Sequence, residues 1–200
     1  EYRTVAHNSI LIHAPPDADE RPKVWGGTPD TFDGGQKVQA GRQIAFETHA
    51  AYSYAATDMT ACYSPKKCLN AVRQFVFVRP DVFIICDRVA KTKPEYASAW
   101  LLHSVDKPDV GPDGRTFRIV EGDGALSGIT LLPEGARADL VGGPGKEFWS
   151  AGKNRPQEGQ HKRLAGAWRI EVSPEKASSE DLFLHVLRVG DKGLRDVGKV

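Results

Sequence analysis

Residues 73–89, RQFVFVRPDVFIICDRV, constrain the fold of this chain more than any other stretch. Two apolar runs meet at Arg79-Pro80-Asp81: Phe75, Phe77 and Val78 precede the break, and Val82, Phe83, Ile84 and Ile85 follow it. β-Branched and aromatic residues suit a pleated, packed surface. Pro80 fixes φ and has no N–H to give to a ladder, so it belongs in the connection between two strands. A hairpin this apolar must lie inside a sheet that packs against another layer.

The rest of the chain carries the same signature. Strand-like segments are read at 5–13, 37–49, 52–61, 96–105, 116–121, 125–132, 137–141, 165–172 and 181–189. With the hairpin they make about ten or eleven strands at the short, regular spacing of a sandwich or barrel. Gly122-Asp123-Gly124 is a hairpin turn signal between two of them. Twenty Gly and thirteen Pro fit many short strands joined by turns. No amphipathic helix of three turns is found, and there is no repeat. The expected fold is therefore all-β: two antiparallel sheets packed face to face. Two hundred residues suit one domain over 1–200, with a polar tail from 190 expected to fray.

Composition excludes some functions. Basic and acidic side chains number 27 and 26, so the formal net charge is +1 and gives no electrostatic footprint for nucleic acid. No run approaches the roughly 18 apolar residues of a membrane span. The chain opens directly on strand-like sequence with no signal peptide, and so reads as a piece of a longer polypeptide. Cys62, Cys68 and Cys86 form no C-x-x-C pair. Cys86 reads as a small buried hydrophobe. Cys62 and Cys68 flank a turn and can either bridge in an oxidising compartment or stay free.

The residues suited to chemistry are few. His7-Asn8 stands at the mouth of the first strand, either as a half-buried His with a capping Asn or as a ligand. His103 shares a strand face with Leu101, while Trp100 and Leu102 share the other. It is read either as a satisfied His at the sheet rim or as a group near a cleft. His13 is expected to be solvated and His185 to be half-buried. A loop over 14–35 contains Trp25, and Asp33-Gly34-Gly35-Gln36 follows closely. A loop this long inside a compact domain is often functional. Trp25 and Gln36 suit a sugar face and its hydroxyls, or else belong to a lid folded back on the sandwich. Tyr54 can donate within a cleft, or sit buried with a satisfied hydroxyl. Arg73, Arg79 and Arg88 can meet carboxylates of a ligand, but Asp81 and Asp87 offer nearer partners.

In order along the chain, AHNSILI (6–12), Trp25, DGGQ (33–36), YSYAATD (52–58), the 73–89 hairpin, AWLLHS (99–104), KEFW (146–149), GAWRIEVSP (166–174) and DLFLHVLRV (181–189) resemble the β-sandwich part of heparinase II/III-like polysaccharide lyases. The resemblance implies cleavage of a uronic-acid-containing polysaccharide by β-elimination. It implies a larger parent with an N-terminal helical toroid, so that no catalytic residue is expected in this chain and the isolated chain is expected to be inactive. His7 matches the last ligand of a zinc site whose other ligands would precede residue 1. Trp25, Gln36, Tyr54 and His103 are the residues expected to face the substrate. A periplasmic or secreted location goes with the resemblance. Two rivals remain: a non-catalytic carbohydrate-binding sandwich presenting Trp25 or Trp149, and a structural module without a ligand.

Overall fold

The computed structural model describes residues 4–14, 24–25, 28–29, 41–150, 152–154 and 166–198. A 3₁₀ turn at Thr4–Ala6 precedes β1 (Ile10–His13). A two-residue pair, β2 (Val24–Trp25) and β3 (Thr28–Pro29), comes next, then β4 (Arg42–Thr48) and β5 (Tyr52–Asp58). A second 3₁₀ turn, Thr60–Cys62, leads into the apolar hairpin, β6 (Cys68–Val78) and β7 (Val82–Lys91). The chain continues through β8 (Ala97–Ser104), β9 (Asp109–Val110), β10 (Thr116–Glu121), β11 (Gly124–Leu132) and β12 (Arg137–Gly142). A small hairpin, β13 (Trp149–Ser150) and β14 (Lys153–Asn154), precedes β15 (Trp168–Ser173) and β16 (Glu180–Asp191).

The main strands form two antiparallel sheets. The larger has eight strands in the order β4-β5-β6-β7-β16-β11-β10-β9; the smaller has four, β1-β8-β15-β12. They pack face to face, as expected, and the described residues contain no α-helix. The connection at Arg79-Pro80-Asp81 is the tight turn the sequence demanded, with Val78 opposite Val82.

Between the sheets lies one core. Ile10, Trp100, Leu102, Ile170 and Val172 come from the small sheet; Ala71, Ile85, Val89, Phe117, Phe183 and Leu187 come from the large one. His185 is fully buried at its centre, with its ring stacked on Trp100 at 3.9 Å between centroids. The expectation of a half-buried His185 is corrected, because its neighbours on β16 face the small sheet. Gly128 is needed where it stands: the Phe117 ring crosses it, and a Cβ there would lie 2.3 Å from the ring.

Two further differences concern ends of elements. The first strand starts at Ile10 rather than Val5, because residues 4–9 coil into a 3₁₀ turn and a bend. The polar tail is tied as far as Leu194: the Arg118 guanidinium donates to the Lys192 and Leu194 carbonyls. Cys62 and Cys68 are not joined by a disulfide, and Cys68 is buried, with its thiol pushed up to about 11 by burial.

Candidate functional site

The His7–Ser9 bend joins the 3₁₀ turn to β1 and lies where the two sheets meet. The His7 N–H closes onto the Thr4 carbonyl at 3.1 Å, and the Ser9 N–H onto the His7 carbonyl at 2.9 Å. His7 and Asn8 are exposed at its apex. The sequence reading placed His7 at the mouth of the first strand, and the bend puts it there.

Asn8 is held from both layers. From the small sheet, the His103 backbone N–H donates to Asn8 Oδ1 at 2.9 Å, and His103 Nδ1 lies 2.9 Å from the same oxygen. From the large sheet, Arg73 Nη1 donates to the Asn8 carbonyl at 2.8 Å. Arg73 is itself fixed by a two-pronged pair with buried Asp87, Nε to Oδ1 at 2.7 Å and Nη2 to Oδ2 at 3.0 Å. Such forks fix orientation as well as charge. Burial holds the Asp87 carboxyl above its usual range, and the Arg73 guanidinium opposes that shift. Behind the bend, the Tyr63 hydroxyl donates to the Ile10 carbonyl at 2.6 Å, and burial raises this phenol well above its ordinary range.

His103 sits deeper than a rim residue. Its Nε2 is 3.0 Å from the Val5 carbonyl, and burial lowers its imidazolium to about 4 against the pull of that carbonyl. Nearby Arg169 and His7 lower it further. The ring is therefore neutral at pH 7 and carries one N–H, so it donates to Asn8 or to Val5, not to both. Both faces of β8 are buried, because Val5 of the 3₁₀ turn packs with Leu11, Ala99 and Leu101 on the outer face.

Arg169 faces His103 across the β8–β15 ladder. Its Nε donates to Glu171 Oε1 at 2.6 Å and its Nη1 to the Trp149 carbonyl at 2.7 Å. Sequence reasoning missed it, since a lone Arg in a strand carries no motif. It also missed the reach of Arg73 to Asn8, although the pairing with Asp87 was legible: a turn at 79–81 sets Arg73 opposite Asp87.

Tyr54 is half-buried on β5 and accepts from Gln74 Nε2 at 2.9 Å. It lies on the outside of the large sheet, in line with Val76, Ile84 and Val186. His103 lies on the outside of the small sheet, so the two do not share a surface. The side chain of Trp25 and all of Gln36 lie outside the described residues. Among the described residues, no three His, Cys, Asp or Glu side chains converge as metal ligands. A metal at His7 would take its other ligands from elsewhere.

Comparison with solved structures gives the architecture a precedent. The heparan sulfate lyase HepC from Pedobacter heparinus superposes with a TM-score of 0.62 over 96% of this chain at 12% identity. A heparinase III gene product with methylated lysines superposes with a TM-score of 0.60 over 95% at 13% identity. The fold is that of the heparinase III β-sandwich. A further heparinase III structure agrees over 77% of this chain with a TM-score of 0.56 at 10% identity. The chain spans about a quarter of the length of those chains: 25%, 24% and 22%. No family profile and no curated protein matches the chain.

Proposed function

We propose that this chain is the sandwich portion of a carbon–oxygen lyase that cleaves a uronic-acid-containing polysaccharide by β-elimination. The observation that supports this best is the superposition on heparan sulfate lyase HepC over 96% of the chain. In this reading the sandwich forms one wall of the cleft and an N-terminal helical domain of the parent forms the other. Proton abstraction at C5 and protonation of the leaving oxygen fall to groups on that domain. The protein is periplasmic or secreted, where such polysaccharides are met.

His7 is assigned as one ligand of a zinc ion completed by residues outside this chain. Zinc wants about four ligands, and an exposed imidazole on a fixed bend suits one of them. Trp25 and Gln36 are assigned to the sugar. His103 stands behind Asn8 and fixes the bend rather than reaching substrate.

The test is the ultraviolet absorbance of the conjugated double bond that β-elimination creates in a uronate. The parent protein is expected to produce it from at least one uronate polymer, and the 200-residue chain alone is expected to produce none. Glycan binding by the parent without this absorbance on any uronate polymer would replace the lyase reading with a binding module. Turnover by the isolated chain would refute the division of labour.

A further inference from the structure

Arg73 engages all three of its guanidinium nitrogens: Nε and Nη2 donate to Asp87, and Nη1 to the Asn8 carbonyl. Arg169 does not. Its Nε donates to Glu171 and its Nη1 to the Trp149 carbonyl, while Nη2 has no hydrogen-bond partner among the described residues and is not sealed in the interior. The residue is nevertheless only 8% exposed. A cation taken so far out of water needs its donors paired. Glu171 meets it through Nε alone, so this pair lacks the fork that joins Arg73 to Asp87. One N–H group of a buried guanidinium is left open at the surface.

A second open donor stands close by. Asn8 is exposed, and the backbone settles which way its amide faces: the His103 N–H can only donate, so the atom it meets is the amide oxygen. With Oδ1 held by His103, Nδ2 is directed away from that contact and makes no hydrogen bond among the described residues. His103 is also the cross-strand partner of Arg169, so the two side chains are neighbours on the outer face of the small sheet. The amide and the guanidinium therefore flank one ring. That ring has no donor to spare, since its nitrogens face Asn8 Oδ1 and the Val5 carbonyl. Trp149 lies on the far side of Arg169: its carbonyl holds the guanidinium, its side chain is half-buried, and Lys146 Nζ stands 5.3 Å over its ring. Glu171 is the one carboxylate that touches Arg169, and it occupies Nε only. Two N–H donors beside a delocalised cation suit the two oxygens of a carboxylate.

We infer that Asn8 Nδ2 and Arg169 Nη2 form a subsite for the carboxylate of a uronate, on the outer face of the small sheet beside the His7–Asn8 bend. The inference rests on the proposed function and deepens it, by naming the groups of this chain that read the acid of the sugar. They stand apart from Trp25 and Gln36. The clamp from His103 then has a purpose beyond fixing the bend: it turns the amide so that its donor end meets the ligand.

The test titrates the 200-residue chain with unsulfated oligosaccharides of glucuronate, galacturonate, mannuronate and guluronate, followed by nuclear magnetic resonance. The same sugars are then used with their carboxyl groups reduced to alcohols. At least one acid is expected to bind and to shift the Asn8 side-chain amide and the Arg169 guanidinium signals, and its alcohol is expected to bind about tenfold more weakly. Asn8→Asp keeps an oxygen for the His103 N–H and replaces the donor with a like charge. It is expected to weaken binding of the acid by about tenfold or more and to leave the thermal midpoint in place. Arg169→Lys keeps the charge, loses the planar fork and is expected to weaken binding as well. Equal binding of acid and alcohol, binding that neither variant changes, or no binding of any uronate overturns the inference. Carboxylate-dependent binding that is lost in Asn8→Asp, with no ultraviolet absorbance from the parent, would retain the subsite and remove the lyase reading. Absorbance from the parent with the same KM in both variants would retain the lyase reading and overturn the subsite.

Discussion

His185 gives the chain an acid-sensitive centre. Burial lowers its imidazolium to about 3, and Arg73 lowers it further. Its Nδ1 meets Thr130 Oγ1 at 3.1 Å, while Nε2 has no hydrogen-bond partner among the described residues. An unfolded His takes up a proton near pH 6.5, so between that value and about 3 the unfolded state binds a proton the folded state refuses. Stability is then complete above about pH 6.5 and falls as pH drops, by up to about 1.4 kcal/mol per pH unit from this residue. His185→Phe is expected to remove that share of the slope in urea melts run from neutral to mildly acid pH. The remaining slope over the upper part of the window is assigned to His103. An unchanged slope would show that His185 titrates normally. Arg73 offers a second check at the same scale. Arg73→Met leaves the buried Asp87 carboxylate without its counter-charge and is expected to cost about 3–5 kcal/mol. Asp87→Asn in the same chain is expected to recover part of it, read from the urea midpoint.

The strands show what was legible and what was not. The β6–β7 hairpin could be read because period, residue type and Pro80 agree on one answer. Its register followed, which is why Arg73 and Asp87 could have been paired in advance. The first strand was read too long. Val5 is apolar and alternates correctly with its neighbours, but it packs over the outer face of β8 from a 3₁₀ turn. Alternation reports burial, and a turn residue can be buried too. His7 could be placed at a strand mouth because the run ILIH begins just after it. The clamp on Asn8 could not, since His103 lies 95 positions away and only the stacking of the sheets brings it near. Gly128 was equally silent, because its reason is the ring of Phe117 on the neighbouring strand. Gly128→Ala forces that ring or Leu187 to move and is expected to cost about 1–3 kcal/mol by overpacking, measured as a lower thermal midpoint. Phe117→Leu is expected to relieve it.

The whole molecule is fastened at one end by charge. Lys91 of β7 meets Asp181 of β16 at 2.6 Å, and Ser98 of β8 in the small sheet donates to the same carboxylate oxygen, so one buried group ties both layers together. Lys91→Met strands that carboxylate and Asp181→Asn strands the equally buried Lys91 ammonium, so each is expected to destabilise by about 3–5 kcal/mol. Equilibrium unfolding of the two variants checks both costs; a loss under about 1 kcal/mol for Lys91→Met would mean that water reaches Asp181. A last consequence comes from where β16 sits. This strand is late in the chain, yet it occupies the middle of the eight-stranded sheet, between β7 and β11. During synthesis, the two halves of that sheet must wait as separate hairpins until the ribosome releases the strand that joins them. Assembly of the layer is therefore a late, non-local event, of the kind that makes all-β chains slow to fold. Until it occurs, the inner edges of both halves stand open to any sticky neighbour, and a nascent chain of this design would gain most from a chaperone while β16 has yet to emerge.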